Sequence, residues 1–551
     1  GLAHGESSAW GGSRRLAVRI AAVEGRQADR EDTVLGPPAR AAFGPDGSPT
    51  AAAVGFARKH GVPPGDLSVV STEKGEYAAL RRSVPGRTVG EILAESLPGA
   101  VEGMSFPKAM RWGAGSHRWV RPVHWLVALH GGEVLPAELF DVEAGRQSRG
   151  HRFLSPGAVR IPDADGYADA LEKAFVLADP AERRRIVAIR LAAAANAAGG
   201  SLVEDAPLLE EVADLVEWPG VITGRFEAAF LDLPREILVA TLRHHQKAFS
   251  VERDGRLLPA FLAVANTDRD PAGHVRRGNE WVVGGRLEDA RFFWSEDGKT
   301  ALQARVDRLA GIVQHAKVGT YREKAERVAS LAEALARRLG LPASDASAAR
   351  RAALLSKADL PTGLVAEFPE LQGVVGGLLL RREGEDEKVS AAVYEHYRPR
   401  GPDDPPPATE LGAVLSVADK IDSVASLLAA GERPTGSRDP FGLRRATAGI
   451  FRIAFDRSWS VSLEALGRLS AFATGGSPRE EVLAYLEQRL ADHLRERGFT
   501  IHEVHAALKA RAADGAEAPP LPDVLARLDA VDGLHGGEHA LYADNSGGGW
   551  S

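Results

Sequence analysis

Two short stretches of this chain place carboxylates at helical spacing: "LLSKADL" at residues 354–360 and "VADKID" at 417–422. On a helix Asp419 and Asp422, three apart, share one face, and two carboxylates so placed could hold a divalent cation. Helical metal centres that hydrolyse phosphate esters also need imidazole nitrogens, ordinarily a His directly before the first Asp. Here Ala358 precedes Asp359, and Lys357 beside it brings an ammonium that would repel a metal ion. His396 in "VYEHYRPR" is the only histidine nearby in sequence. One reading joins Asp359, His396 and Asp419 as a magnesium site. The other, which we prefer, makes Asp359 and Asp419 hydrogen-bonding anchors of their helices, because buried polar groups find partners.

Other clusters suit anions. "SRGHRFLSP" sets Arg149, His151 and Arg152 around Gly150, and "KAMRWGAGSHRWVRPVHW" interleaves Lys108, Arg111, Arg118 and Arg121 with Trp112, Trp119 and Trp125. Guanidinium groups meet phosphates and rings stack on bases, although tryptophans in a strand core with arginines on the surface would read the same way. "TLRHHQKAF" offers His244, His245 and Lys247; adjacent histidines diverge by about 100° on a helix and do not converge on one metal. In "GERPTGSRDPFGLRRA", Asp439-Pro440 or Ser437 would cap a helix that carries Arg444 and Arg445. No GxGxxG, P-loop or GxSxG motif accompanies these.

The elements that must position these groups fall into two styles. "LAVRIAAV" alternates as a strand through Leu16, Val18 and Ile20, "RPVHWLVALHGGEVLP" reads as two strands around Gly131-Gly132, and "PAERRRIVAIRLAAAANAAGG" reads as a helix stopped by Gly199-Gly200. Beyond residue 300 nearly everything has helical period. "ELGAVLSVADKID" carries an apolar stripe of Leu411, Val414, Leu415 and Ala418. Proline-rich "GPDDPPPAT" predicts an extended connection between helices, and "ARAADGAEAPPLPD" a boundary before a helix from Val524. The expected fold class is therefore multidomain α/β plus all-α.

With 551 residues the chain calls for several cores. Its hydrophobic content of 44% and charged content of 26% are those of globular proteins, and no apolar run reaches the roughly 20 residues of a membrane helix. Without cysteine there is no disulfide, thiolate zinc site or cysteine nucleophile. Net charge of −7 leaves nucleic-acid binding to local basic patches. No export signal is visible, which points to the cytoplasm.

The ordered series "MRWGAGSHRWVRPVHWLVAL", "RGHRF", "LLEEVADLVEWPGVITGRF", "HHQKAF", "RLEDARFFW", "LLSKADL", "EFPELQGVVGG", "ADKID" and "PTGSRDPFGLRRA" resembles the beta subunit of bacterial heterotetrameric glycyl-tRNA synthetase across nearly the whole chain. The resemblance implies N-terminal mixed α/β domains, an HD-like helical domain and a helical C-terminal segment. The corresponding spans are 1–155; 156–300, similar to part of the phenylalanyl-tRNA synthetase beta subunit; 301–465; and 466–551. It implies an α2β2 assembly in which the alpha subunit attaches glycine to tRNA(Gly) using ATP and Mg²⁺, while this chain binds tRNA, holds no cofactor or metal and contributes no catalytic residue.

On that resemblance Arg149, His151, Arg152, Lys247, Arg444 and Arg445 are the expected tRNA or subunit contacts. Lys357, Asp359, His396 and Asp419 become degenerate HD-like positions, with Lys357 placed to favour an anion. An active HD-type phosphohydrolase and a purely structural assembly subunit are the alternatives. The family's opening "GTEELP" segment and anticodon-binding tail are not found in the sequence, and Trp281 and Gln314 depart from the usual basic and aromatic residues.

Overall fold

The computed structural model describes residues 2–436, 438–474, 479–509 and 520–534. The chain is mixed α/β, with sheets toward the N-terminus and helices toward the C-terminus. It divides into two compact units between Thr223 and Gly224, Leu262–Arg276 returning to the first.

In the first unit β1 (Ser7–Gly11) pairs antiparallel with β2 (Leu16–Ile20), in the register Ser7↔Ile20 to Gly11↔Leu16. Trp10 of β1 points inward, against a core of Ile161, Leu171, Val176 and Ala178, while Leu16, Val18 and Ile20 are exposed on the opposite face. Strands β3 (Arg30–Pro38), β4 (Leu67–Thr72) and β5 (Gly75–Val84) form a sheet in the order β3-β5-β4, crossed by α1 (Ala51–Lys59). Helix α2 (Val89–Glu102) starts at a Thr88/Glu91 capping box. The Gly131-Gly132 turn joins two-residue strands β6 (Leu129–His130) and β7 (Glu133–Val134) as expected.

Further along, β8 (Gln147–Arg149) pairs with β9 (Ala158–Arg160), leaving "GHRFLSP" as the loop between them. Helix α3 (Pro180–Ala197) is opened by Asp179 with proline at its first turn, and Gly199 follows its end at φ 88°, a conformation that glycine adopts without steric cost. Helix α4 (Ala206–Leu215) packs on it.

The second unit contains α5 (Arg235–Gln246), α6 (His274–Asp297) from Arg277 onward, α7 (Tyr321–Arg338), α8 (Ala343–Leu355), α9 (Val374–Glu383), α10 (Glu387–Glu395), α11 (Glu410–Ala429), α12 (Leu443–Asp456) and α13 (Arg479–Glu496). Helix α11 is the axle: α7, α8, α10 and α12 all pack on it. It is buried from Leu411 to Leu428 save Ser423. The apolar stripe anticipated for α11 is therefore too narrow a description; a helix surrounded by helices is buried on every face. Consequently Asp419, Lys420 and Asp422 are all interior, and each needs a partner.

The cap of α12 also differs from expectation. Pro440 lies outside the helix, whose N-cap is Gly442 at φ 67°, and the Asp439 carboxylate reaches over it to accept the Leu443 and Arg444 N–H groups (2.9 Å each). Ser437 lies outside the described residues, as does most of the anticipated boundary before the last helix, which begins at Leu521. No helix among the described residues is long and apolar enough to cross a membrane.

Candidate functional site

At the centre of the helical unit Lys357 is 1% exposed. Its ammonium lies 3.1 Å from Asp419 Oδ2, 2.9 Å from His396 Nε2 and 3.9 Å from the centre of the Tyr397 ring. His396 Nδ1 is 2.6 Å from the Val393 carbonyl. Since that oxygen can only accept, Nδ1 carries the proton and Nε2 is the acceptor for Lys357. Burial, and then the charge of Lys357, hold His396 neutral well below its ordinary range.

Lys324 of α7 reaches Asp419 Oδ1 at 3.1 Å and Asp422 Oδ2 at 2.9 Å. Arg327 donates to Asp422 Oδ1 at 2.7 Å. Burial opposes ionisation of Asp419, but Lys324 and Lys357, with smaller help from Lys420, outweigh it and keep the carboxyl ionised. For Lys357 the balance goes the other way: burial exceeds the attraction of Asp419 and brings it down to about 8. Burial likewise lowers Lys420 to about 7; its ammonium donates to Ser416 Oγ at 2.6 Å and the Arg398 carbonyl at 3.0 Å.

Asp359 is an anchor, as expected. Its Oδ2 accepts the Gly373 N–H at 2.6 Å and the Gly376 N–H at 3.0 Å, fixing the start of α9. Gly373 has φ 81°, and a Cβ there would meet the His396 ring at 3.0 Å, so the "GVVGG" stretch is what lets α9 come this close. Burial raises Asp359 to about 6 despite those bonds.

Asp419 departs from the expectation: it is no helix anchor but the counter-ion of two lysines. Lys357 departs as well, because an interior ammonium engaged by Asp419 and His396 offers nothing to an external anion. The imidazole and carboxylate that would ligate a metal both hold the lysine, and Asp359 is committed to backbone. Among the described residues no group of three or more His, Asp or Glu is arranged to hold a metal ion.

The basic loop of the first unit is built differently. Glu217, buried, pairs with Arg15 at 2.7 Å and Arg14 at 3.0 Å. Those arginines in turn donate to the backbone at β8, Arg15 to the Arg149 carbonyl (3.0 Å) and Arg14 to the Gly150 carbonyl (3.4 Å). The result is a loop held from beneath, with Arg149, Arg152 and Phe153 exposed above it. His151 does not join them. It is fully buried, and its Nδ1 accepts the N–H groups of Phe153 (3.2 Å) and Leu154 (3.1 Å), so it shapes the turn and is no surface contact.

Neither Arg14 and Arg15 nor Glu217 attracts notice in the sequence; two adjacent arginines and one distant glutamate give no local signal. The tryptophans follow the structural reading: Trp112 and Trp119 gather around Phe140 at 5.6 and 5.9 Å. Lys108, Arg111, Arg118 and Arg121 are exposed around them.

Lys247 ends α5 in the left-handed conformation, φ 49°. His244 and His245 face different carboxylates, Glu370 and Glu367, at 3.4 Å each. Arg444 is half-buried and Arg445 exposed on the first turn of α12. Arg149 and Arg152 belong to the first unit, and Lys247, Arg444 and Arg445 to the second. Trp281 is 81% exposed on α6, whereas Gln314 accepts from Arg327 at 3.1 Å and so braces the Asp422 pair.

Comparison with known proteins places the chain among aminoacyl-tRNA synthetase components. Residues 1–509 match the family model described as glycyl-tRNA synthetase beta subunit. Among proteins named glycine–tRNA ligase beta subunit, that of Geobacter sulfurreducens is 42% identical over 543 residues, covering 97% of this chain and 78% of the relative. That of Myxococcus xanthus is 43% identical over 89% and 71%, and that of Chromohalobacter salexigens 41% over 93% and 74%. The chain belongs to the glycyl-tRNA synthetase beta subunit family, and as such is part of a ligase complex.

Proposed function

We propose that this chain is the tRNA-binding body of a glycine–tRNA ligase, supporting ATP-dependent attachment of glycine to tRNA(Gly) in a class II site on a partner alpha subunit, within an α2β2 assembly in the cytoplasm. On this reading ATP and Mg²⁺ act in the partner, and the helical unit is an HD-like scaffold whose centre is closed by Lys357.

The observation that carries the proposal is the loop above Glu217. A buried carboxylate and two arginines preorder a turn whose outward groups are Arg149, Arg152 and Phe153, two guanidinium groups for phosphate and one ring for a base. Preordering lowers the entropy lost on binding. Lys247, Arg444 and Arg445 are the further contacts we assign to tRNA or the alpha subunit.

Aminoacylation of tRNA(Gly) by the alpha subunit, alone and then with this chain added, tests the proposal. Activity that appears only in the mixture, together with tRNA binding that weakens as salt rises, is the expected result. Equal activity with and without the chain would refute it.

A further inference from the structure

From Gly103 to Gly132 the sequence holds Lys108, Arg111, Arg118 and Arg121 and not one Asp or Glu, in a chain with 75 acidic residues among 551 and a net charge of −7. The stretch belongs wholly to the first unit. Its middle is a hairpin, Met110–Arg111 pairing antiparallel with Arg118–Trp119 in the register Met110↔Trp119 and Arg111↔Arg118. Alternation along each strand puts Met110 and Trp119 on one face and the two arginines together on the other.

Aromatic packing holds the hairpin to the body of the unit. Trp119 meets Phe106 at 4.8 Å and the buried Phe140 at 5.9 Å, and Trp112 and His117 close on Phe140 at 5.6 and 5.2 Å. The cations have no such partners. Lys108, Arg111, Arg118 and Arg121 are all exposed, and among the described residues no carboxylate lies within ion-pair distance of any of them. Asp141, the carboxylate that does touch the hairpin, lies 3.2 Å from His117 Nε2 instead.

Directly opposed side chains stand about 5 Å apart at Cβ, and like charges so placed destabilise a strand pair. A ladder of two residue pairs has few hydrogen bonds to set against that repulsion. An anion between the two guanidinium groups turns the repulsion into charge-assisted contacts. We infer that this hairpin binds the sugar–phosphate backbone of RNA, with one phosphate held between Arg111 and Arg118 and the positive field continued by Lys108 and Arg121. A protein surface presents charges of both signs, whereas a stretch with four cations and no carboxylate is the one-signed footprint suited to a polyanion. Contacts of this kind position a strand without reading its sequence. The hairpin thus joins the loop of Arg149 and Arg152 as a contact surface, an assignment that rests on reading the chain as a tRNA-binding body.

Full-length wild type, the double variant Arg111→Gln with Arg118→Gln, and the single variant Arg118→Glu are compared by anisotropy of labelled tRNA(Gly) and of a mixed-sequence oligoribonucleotide across a salt series, with thermal melting alongside. The double variant should bind both RNAs more weakly, by roughly tenfold or more, and reduce the slope of log affinity against log salt by about two. Arg118→Glu sets opposite charges across the ladder, so it should also lose binding while melting no lower than the wild type. Loss of binding that comes only with lowered melting in both variants would overturn the inference. Wild-type affinity and slope in the double variant would overturn the hairpin site and leave the tRNA reading intact. A wild type that binds neither RNA removes both. Binding of the oligoribonucleotide but not of tRNA(Gly), lost in the double variant, would support the site and refute the tRNA reading. Unchanged RNA binding in a double variant that no longer co-purifies with the alpha subunit would give the hairpin to a protein partner, which also overturns the inference.

Discussion

Neutralising Asp419 should damage the helical unit far more than removing Lys357, although the two form one ion pair. Asp419 lies 3.1 Å from both Lys357 and Lys324, so Asp419→Asn leaves two interior ammonium groups with one carboxylate fewer. Stripping a buried charge of its partner costs about 3–5 kcal/mol. Lys357→Met has two opposing effects. An ammonium held at about 8, where lysine ordinarily titrates at 10.5, carries a handicap of about 3 kcal/mol when charged, and methionine removes that handicap while filling similar volume. That handicap is already net of the attraction to Asp419, so what opposes its removal is the buried His396 Nε2 left without its donor, about 1–3 kcal/mol. The terms nearly cancel, leaving a net change of about 1 kcal/mol or less in either direction.

Hydrogen exchange of the α11 amides, together with the urea transition of the helical unit, reads the difference. With an m-value of about 3 kcal/mol/M, Asp419→Asn should lower the midpoint by about 1 M and Lys357→Met by a third of that at most. Equal loss in both variants would refute the reasoning, since it would mean that the lysine's attraction to Asp419 outweighs its desolvation.

Three other outcomes are expected. Asp359 titrates at about 6 in the folded chain, above its ordinary 3.8, so between these values the folded form binds the extra proton and Asp359 adds stability as pH falls. Asp359→Asn, which lacks that offset, should lose stability more steeply from pH 6 to pH 4 in urea midpoints. Glu217→Gln leaves Arg14 and Arg15 without their carboxylate, a loss of about 2–4 kcal/mol that should appear as faster exchange at residues 148–154 and weaker tRNA binding. Arg149→Gln with Arg152→Gln should weaken binding to all RNA sequences alike and reduce the salt slope by about two, with unchanged thermal stability.

Local rules carried much of the fold. The Gly131-Gly132 turn, the Asp179-Pro180 start of α3 and the Gly199 stop all lie where short-range chemistry puts them. Lys357 was legible as an obstacle to a metal, because it stands two residues before Asp359. Its burial was not legible, since that depends on α11 being enclosed by four helices, and an apolar stripe with charges beside it looks the same on a half-exposed helix. Lys324 and Arg327, which pair with Asp419 and Asp422, come from α7, about 95 residues earlier, and no periodicity reports a pairing at that range. The Arg15 and Glu217 clamp spans 202 positions and was invisible for the same reason. His151 was misassigned because an imidazole between two arginines looks like a third cation, whereas here it is an acceptor for two backbone N–H groups.

The ammonium of Lys357 touches an imidazole nitrogen and a carboxylate oxygen, and it is covalently part of the chain. A cation supplied in this way has no dissociation constant. Chelators cannot withdraw it and competing ions cannot replace it, whereas a bound divalent ion would add to folding stability in proportion to the logarithm of its concentration. Substitution of Lys357 by histidine would not by itself reverse this, because Asp359 would still be bonded to the Gly373 and Gly376 amides.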